Sequence, residues 1–434
     1  MPEISEYNGI AMADIASING QDVPSGSGGG GYATASTGLL VWGNDGAPTK
    51  PFDGALFGAA SVPQSYPLFT PPSGRYVTQI VFTRPGHCGI LLDNGDVYTT
   101  GTVSQSYMGR NSSTTPYNEF GLSLTGVAKL APHYIGFMAI KTNGTLWYTG
   151  QVSFYFSGSS TASQMWRQYG TDTDWVDVVG HTNYPYTSYY MKGTGTGKRL
   201  YTSGYNAYGM TGLGTTSGTT TTPTLMKTDA STNFTDVPDK FATGGTAFGV
   251  INTSGELFTC GRGTYGTTGQ GTSSNTTYLT QVGTATDWEL YWPGALGAFG
   301  IRNGALYGSV SNTLYYEITY QLSGYSATRT FSQIGTETDF EEIYGWDFSQ
   351  SYTDSFKGLI VKRTSGWYVN GRNKSGWNGA KGIDLLASPG TWYDLTSSTN
   401  LETPVGSSYT IRTAAVSHDN FNVQAPLGIY LSVS

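Results

Sequence analysis

The residues that could do chemistry in this chain are few and scattered. Its four histidines, His87, His133, His181 and His418, fall in different segments, and no CxxC or HxxxH spacing occurs. A metal site built from nitrogen or sulfur ligands needs such spacing to bring several ligands onto one ion. We therefore expect structural or surface roles for the histidines and no bound metal.

A glycine-rich stretch, "GTGTGKR" at residues 193–199, resembles a phosphate-binding loop but departs from its pattern at two positions. Lys192 stands where GxxxxGK[ST] needs its first glycine, and Arg199 stands where it needs Ser or Thr. No GxSxG motif occurs and no paired carboxylates stand out. Asp172 and Asp174 are expected to bond locally within a turn. The sequence therefore predicts a protein that is not an enzyme and needs no cofactor.

The composition favours short strands joined by tight turns. The chain has 61 Gly and 32 Tyr, and only 12% of its 434 residues are charged, which disfavours long amphipathic helices. The net charge is -7, and the first basic residue is Lys50, so we expect neither a basic arm nor a signal-peptide n-region. No apolar run reaches 18 residues. We expect a soluble all-β protein with no nucleic-acid partner, no membrane insertion and two reduced cysteines, Cys88 and Cys260.

An internal repeat decides the architecture. Its clearest copy, "FTDVPDKFATGGTAFGVINTSGELFTCGRGTYGTTGQGT" at residues 234–272, has an apolar strand, a turn, an alternating strand and a glycine-rich tail. In each copy a Gly-containing pair separates the two runs, and such pairs supply the positive φ angles of a two-residue β-hairpin turn. The pairs are Asn94-Gly95, Asn143-Gly144, Ser254-Gly255, Asn303-Gly304 and Ser365-Gly366.

A second phrase links the copies. It reads "QYGTDTDW" at residues 168–175, "QVGTATDW" at 281–288 and "QIGTETDF" at 333–340, and its final aromatic residue is expected to start the next strand. Seven repeat starts follow: Val77, Val127, Trp175, Phe234, Trp288, Phe340 and Trp392. Only six glycines close the matching second hairpin strand: Gly101, Gly150, Gly204, Gly261, Gly308 and Gly371. The seventh closing phrase is missing at the C-terminus.

The missing phrase stands near the N-terminus, as "GLLVWGNDG" at residues 38–46. A half-repeat at each end is what a ring needs when its last blade is assembled from both termini, because pairing the ends covers an exposed sheet edge. The sequence therefore predicts a seven-bladed β-propeller over residues 37–434, closed by pairing of N- and C-terminal strands. Residues 39–43 should lie beside residues 409–417.

The repeat resembles that of the regulator of chromosome condensation family. The resemblance rests on the Asp-Trp entry, the turn glycine, "LWYTG" or "LFTCG", and the tail, and it is best in "GVINTSGELFTCGRGTYGTTGQGT". It implies a seven-bladed propeller over about residues 38 to 420. The family often has a His eight residues before the turn glycine; His87 fits this pattern, and Ala247 departs from it. The founding member's nucleotide exchange and chromatin binding depend on surface loops and a basic tail, and this acidic chain has no basic tail.

The first 24 residues differ from the repeat. They contain a duplication eleven residues apart, and residues 25–36 form a Gly/Ser-rich linker. The segment is similar to N-terminal peptides of structural proteins of tailed bacteriophages. Because it is too short for its own core, we expect a docking peptide or a disordered tail. The expected docking residues are Ile4, Tyr7, Ile10, Ile15 and Ile18.

Tyrosine-rich insertions interrupt the repeat at residues 151–156 and 181–190. Tyr provides contact area at a low entropic cost, so these insertions are candidate contact surfaces. The candidate residues are Tyr155, Tyr184, Tyr186 and Tyr189.

Two functions are compatible with this layout. The first is a non-enzymatic virion decoration or appendage protein, homo-oligomeric in the particle, anchored to capsid or tail proteins and facing a host glycan or protein. The alternative is a cytoplasmic propeller that binds a protein or glycan, including an exchange-factor-like role. The two differ in the partner of residues 1–24 and in whether a small GTPase binds the propeller.

Overall fold

The computed structural model of the chain is built from β-strands. It describes residues 6–7, 10–11, 17–18, 21–22, 38–43, 60–64, 69, 71–83, 87–101, 107–110, 120–134, 136–150, 163–181, 186–294, 297–310, 328–347, 357–371, 393–394, 411–417 and 428–433. Within these ranges the one helical element is a 3-10 turn, Gly195–Gly197. None of the described helical structure has the length and hydropathy to cross a bilayer.

Six blades are four-stranded antiparallel sheets made from consecutive strands. The first contains β7 (Val77–Thr83), β8 (His87–Leu92), β9 (Val97–Thr100) and β10 (Gly121–Leu124). The second contains β11 (Val127–His133), β12 (Gly136–Lys141), β13 (Leu146–Gly150) and β14 (Ser163–Tyr169). The third contains β15 (Trp175–Gly180), β16 (Thr187–Lys192), β17 (Arg199–Tyr205) and β18 (Thr219–Leu225).

The remaining consecutive blades follow the same plan. The fourth contains β19 (Pro238–Gly244), β20 (Ala247–Asn252), β21 (Leu257–Gly261) and β22 (Thr276–Gln281). The fifth contains β23 (Trp288–Pro293), β24 (Ala298–Arg302), β25 (Ala305–Val310) and β26 (Thr328–Gln333). The sixth contains β27 (Phe340–Asp347), β28 (Lys357–Arg363), β29 (Gly366–Gly371) and β30 (Tyr393–Asp394).

One further four-stranded sheet joins the two ends of the chain. Its order is β31 (Ile411–Ser417), β32 (Gly428–Val433), β5 (Gly38–Gly43) and β6 (Ala60–Gln64). Six blades, rather than seven, are thus continuous in sequence, and this sheet is composite. The N- and C-terminal strands share one sheet as expected, but β5 pairs with β32 and not with the strand at residues 409–417. The expectation missed β32 because its short apolar run carries no turn signal.

The expected seventh repeat start at Trp392 was wrong. The two residues after it form β30, which pairs with β29 as the outer strand of the sixth blade. The composite sheet starts instead at Ile411. An aromatic residue begins the inner strand in three blades, whereas Trp392 comes directly before an outer strand in the sequence.

The innermost strands of the sheets lie in a circle. Each of β7, β11, β15, β19, β23 and β27 contacts the next, and β31 contacts both β27 and β7. Apolar clusters fill the spaces between neighbouring blades: Tyr189 and Leu200 of the third blade pack with Phe248 and Val250 of the fourth. Each fully buried side chain of this size contributes about 1.5–3 kcal/mol. The core therefore lies between blades, as a propeller requires.

Each blade has two ends, which we name by their connections. The turn face carries the turns between the second and third strands of the blades. The loop face carries the connections from the first strand to the second and from the third to the fourth. The names follow from the antiparallel strand order, because first and third strands both run from the turn face to the loop face.

The expected two-residue hairpin with two positive φ angles is present at one turn. Asn303 has φ 46° and Gly304 has φ 70°, and Arg302 pairs with Ala305. At Gly95, Gly144 and Gly255 only the glycine has a positive φ, and the amide of each glycine bonds the carbonyl three residues earlier. These are longer hairpin loops, in which glycine alone takes the left-handed position.

The first residues of the chain form two small hairpins. β1 (Glu6–Tyr7) pairs with β2 (Ile10–Ala11), and β3 (Ser17–Ile18) pairs with β4 (Gln21–Asp22). Each pairing leaves two residues between its strands, at the Asn-Gly pairs of the duplication. The eleven-residue duplication is therefore a duplicated hairpin.

Candidate functional site

The turn face is closed by contacts within the protein. In four blades the carbonyl of the turn glycine accepts a hydrogen bond from the first residue of the next inner strand, as between Gly255 and Trp288 at 3.0 Å. A Cβ on Gly255 would lie 2.3 Å from the carbonyl oxygen of Thr286. The linking phrase thus packs against the turn of the preceding blade, which explains why both recur. The equivalent amide donors are Val127, Trp175 and Phe340.

A charged pair and an aromatic ring complete three of these joints. Arg302 Nε lies 2.7 Å from Asp287 Oδ1, and its guanidinium carbon lies 5.3 Å from the centre of the Trp288 ring. Arg363 repeats this arrangement with Asp339 and Phe340. In the third blade Lys192 takes the cation's place, 2.7 Å from Asp172, 3.6 Å from Asp174 and over Trp175. The expected local turn bonds of Asp172 and Asp174 are therefore replaced by ion pairs with Lys192.

The loop face differs, because two bulky side chains there stand on left-handed backbone. Tyr186 has φ 62° and Tyr208 has φ 58°; the one other described non-glycine residue with positive φ is Asn303. Asn adopts this region readily, whereas a tyrosine there is strained, at a cost of order 1–3 kcal/mol. Both tyrosines are half-buried and belong to the third blade.

Each left-handed tyrosine reaches a neighbouring blade. The Tyr186 ring packs against Tyr134 of the second blade, with centroids 4.2 Å apart. Tyr208 packs on Arg262 of the fourth blade, whose guanidinium carbon lies 4.8 Å from the Tyr208 ring and 4.8 Å from the Tyr265 ring. We call these five residues the tyrosine site.

The loop that carries Tyr208 is held from beneath. Asn206 donates from Nδ2 to the carbonyl of Thr215 at 2.7 Å, and its Oδ1 accepts from the amide of Thr211. The Tyr189 hydroxyl donates to the carbonyl of Met210 at 2.8 Å. These bonds fix the backbone on both sides of the strained residue.

Tyr189 itself was wrongly expected to be a surface contact. It is fully buried, and its ring stacks on Phe248 with centroids 3.8 Å apart. Burial raises the pKa of its hydroxyl well above the ordinary value. Strand alternation is the reason: within the Tyr-rich run, Tyr189 lies on β16, the second strand of the blade, which is covered on both faces. Tyr189 supports the tyrosine site from below.

Two buried histidines stand behind the tyrosine site. Burial lowers the pKa of His133 to about 3, a hydrogen bond with the backbone of Tyr186 opposes this shift, and the charge of His181 adds to it. His133 ends β11 and His181 follows β15, so neighbouring inner strands bring them together. His133 is neutral at ordinary pH and has a structural role.

Three of the expected docking residues lie on described strands. Tyr7, Ile10 and Ile18 lie on the small N-terminal hairpins. The remaining four candidates and one histidine lie outside the described residues: Ile4, Ile15, Tyr155, Tyr184 and His418.

No group of three His, Cys, Asp or Glu side chains that could hold a metal occurs in the described part of the chain. Residues 193–198, the greater part of the phosphate-loop-like stretch, connect β16 to β17 as a hairpin turn, as expected. Cys88 and Cys260 are buried free thiols, as expected. Burial raises the pKa of both thiols.

Four of the five residues of the tyrosine site were missed from the sequence: Tyr134, Tyr208, Arg262 and Tyr265. One signal was present, because Tyr208 and Tyr265 head the same phrase, YGxTGxGT, in consecutive repeats. Because the phrase is part of the glycine-rich tail of the repeat, it predicts a turn and does not single out its tyrosine. Arg262 carried no signal, because its neighbour Tyr208 is 54 positions away.

The molecule is an all-β propeller, and solved structures of the RCC1-like class share its fold. It is similar to Prp20p from Saccharomyces cerevisiae, described with its binding to Gsp1p and histones, at 11% identity and a TM-score of 0.62 over 92% of this chain and 91% of that one. Human WBSCR16 gives 16% identity and a TM-score of 0.62 over 91% and 98%. No protein-family model and no curated protein matches the chain.

Yeast RCC1 (Prp20), solved bound to Kap60, is similar at 12% identity and a TM-score of 0.61, over 91% of this chain and 89% of that one. At these identities the likeness shows the fold alone. It confirms the RCC1-like propeller expected from the repeats. A bacteriophage origin and a virion role gain no support from it and stay predictions.

Proposed function

We propose that this chain is a non-enzymatic, protein-binding β-propeller whose partner contacts the loop face at the tyrosine site. The observation that carries the proposal is the pair of left-handed tyrosines, Tyr186 and Tyr208. Backbone strain of this kind persists where surrounding structure fixes it, and it is concentrated at binding and switch sites. Here the strain positions two half-buried aromatic rings on one face of one blade.

The chemistry of the site favours a protein partner. Tyr and Arg are enriched among the residues that dominate protein interfaces, and Tyr buries a large area with few rotatable bonds. Tyr186 and Tyr208 are each held by a neighbouring blade, so little side-chain freedom remains to be lost on binding. The solved propellers of the same fold include proteins described with protein partners, namely Gsp1p, histones and Kap60.

The fold supports the same use in one further respect. We propose that the composite sheet is the seventh blade of a closed ring, because β31 contacts both β27 and β7. Closing the ring packs this sheet between the first and sixth blades, so the two faces of the ring are presented for binding.

A binding comparison tests the function. The double variant Tyr186→Asn, Tyr208→Asn removes both rings and places at each position an asparagine, which tolerates left-handed backbone. We expect proteins captured from the source cell by the wild-type chain to be lost by the double variant. Tyr76→Asn is the matched control, because Tyr76 is 40% exposed and precedes β7 on the turn face. Equal capture by all three forms would contradict the proposal.

A small-GTPase partner would give the exchange-factor-like form of this function. Its measurement is the rate of release of labelled GDP from a panel of small GTPases, with the wild-type chain and the double variant. Faster release with the wild-type chain alone would support it. Attachment to a virion through residues 1–24 is a separate prediction, and particle incorporation of a chain lacking residues 1–31 tests it.

A further inference from the structure

We infer that Arg262 binds a carboxylate of the protein partner, an Asp or Glu side chain or a chain terminus, while its guanidinium stays between the Tyr208 and Tyr265 rings. The inference rests on the proposed function and names the chemistry of the partner. A guanidinium has five N–H donors in one plane and carries its charge at any physiological pH.

A comparison of three arginines supports the assignment. Arg302, Arg363 and Arg262 each lie over two aromatic rings, with the guanidinium carbon 4.8 to 5.3 Å from each ring centre. Arg302 and Arg363 each also bond an Asp at 2.7 Å. Arg262 has the same aromatic setting, and no described carboxylate forms an ion pair with it.

The local backbone holds Arg262 ready for such a ligand. Its amide donates to the carbonyl of Thr246 at 2.9 Å, and its carbonyl accepts from the Thr267 hydroxyl. Two rings lie within 4.8 Å of the guanidinium carbon, and ring faces attract a cation without using its N–H donors. The side chain is half-buried, so its electrostatic attraction is screened less than that of an exposed arginine.

Charge complementarity selects a carboxylate rather than a nucleic-acid phosphate chain. Stacked tyrosines with an arginine could in principle bind single-stranded nucleic acid. However, the chain has a net charge of -7, and a polyanion would be repelled over its whole length. A single carboxylate meets the guanidinium in a bidentate pair without bringing further negative charge.

Fluorescence polarisation with labelled probes tests this inference on the full chain. The acidic probe is a short Gly/Ser peptide that carries a single Asp, and its twin carries Asn at the same position. We expect the acidic peptide alone to bind, with affinity falling as salt rises, and Arg262→Gln to weaken it about tenfold, the effect of one charge-assisted pair. Arg199→Gln is the control, because Arg199 lies on the turn face and bonds backbone carbonyls.

Several results would overturn the inference. These are failure of the acidic peptide to bind, equal binding of the twin, an unchanged affinity in Arg262→Gln, or Arg262-dependent binding of a labelled single-stranded oligonucleotide in place of the peptide. Capture of the partner by the variants distinguishes failure of this inference from failure of the proposed binding function. A partner lost by Tyr186→Asn, Tyr208→Asn but kept by Arg262→Gln leaves the binding function standing and removes the carboxylate contact; a partner kept by both removes both.

Discussion

The turn face and the loop face use the same kinds of residue in opposite ways. On the turn face, Arg302 lies over Trp288 and is neutralised by Asp287 of the same blade. On the loop face, Arg262 lies between two tyrosines with no described carboxylate beside it. The first arrangement closes a joint between blades. The second leaves charge and aromatic surface available to another molecule.

The backbone shows the same contrast. Left-handed conformations on the turn face fall on glycines and on Asn303, where they cost little. On the loop face they also fall on Tyr186 and Tyr208, where they cost more. On the turn face, where the contacts are internal, the left-handed positions hold residues that tolerate that conformation. On the loop face two tyrosines retain backbone strain, and a binding function is a physical reason for retaining it.

The largest effect is expected at a turn-face joint. Gly255→Ala places a Cβ 2.3 Å from the Thr286 carbonyl and forces alanine to φ +75°. We expect the free energy of unfolding to fall by about 2–4 kcal/mol, measured by urea denaturation. Gly283→Ala is the control, because Gly283 is also left-handed but has open space around it; there the loss should be about 1 kcal/mol. Equal losses would mean that the joint adds nothing to stability.

We expect the free energy of unfolding to depend on pH because of His133, which is buried behind the loop face. The pKa of His133 is about 3 in the folded state and near 6.5 in the unfolded chain, so the unfolded chain binds more protons between these values. Stability should therefore fall as the pH drops below about 6.5, by at most about 1.4 kcal/mol per pH unit from this group. Urea denaturation at several pH values between 7 and 4 measures it. His133→Gln should give a flatter dependence, and parallel curves would count against the assignment.

The smallest expected effect is a difference in stability and in partner capture between variants of Arg302 and Arg262. Arg302→Gln removes a partly exposed ion pair and should lower the free energy of unfolding by about 1 kcal/mol without changing partner capture. Arg262→Gln should change stability by less than about 0.5 kcal/mol, because no described ion pair is lost. Thermal denaturation and capture, run in parallel on both variants, give the comparison. A reversed pattern would show that the roles of the two faces are exchanged.

Much of the fold could be predicted from local patterns. Five of the seven expected repeat starts, such as Val77 and Phe340, are the first residues of inner strands. The fourth lies slightly early, because Phe234 precedes β19. The predicted start at Trp392 was wrong, because an aromatic residue before a short strand looks the same on an outer strand as on an inner one. Neither the sheet position of β30 nor the insertion of β32 beside β5 has a local signal.

The candidate site was less accessible to prediction. Tyr186 and Tyr189 stand three positions apart in one Tyr-rich run, yet one is half-buried on a loop and the other is fully buried on a strand. The high tyrosine content makes the run at residues 181–190 a candidate contact surface, but it does not show which ring is buried. Only the strand register separates Tyr189, whose ring stacks on Phe248 in the core, from Tyr186, whose ring packs on Tyr134 in a loop.

The repeated blade, the glycine turns and the need to join the two chain ends follow from the amino-acid sequence, because each depends on residues within a few positions or on an edge that must be covered. Which side chains meet across blades follows from the three-dimensional packing. Tyr208 and Arg262 are 54 residues apart, and Tyr134 and Tyr186 are 52 apart. Such pairs arise from the packing of one blade on the next, and no local pattern encodes that distance.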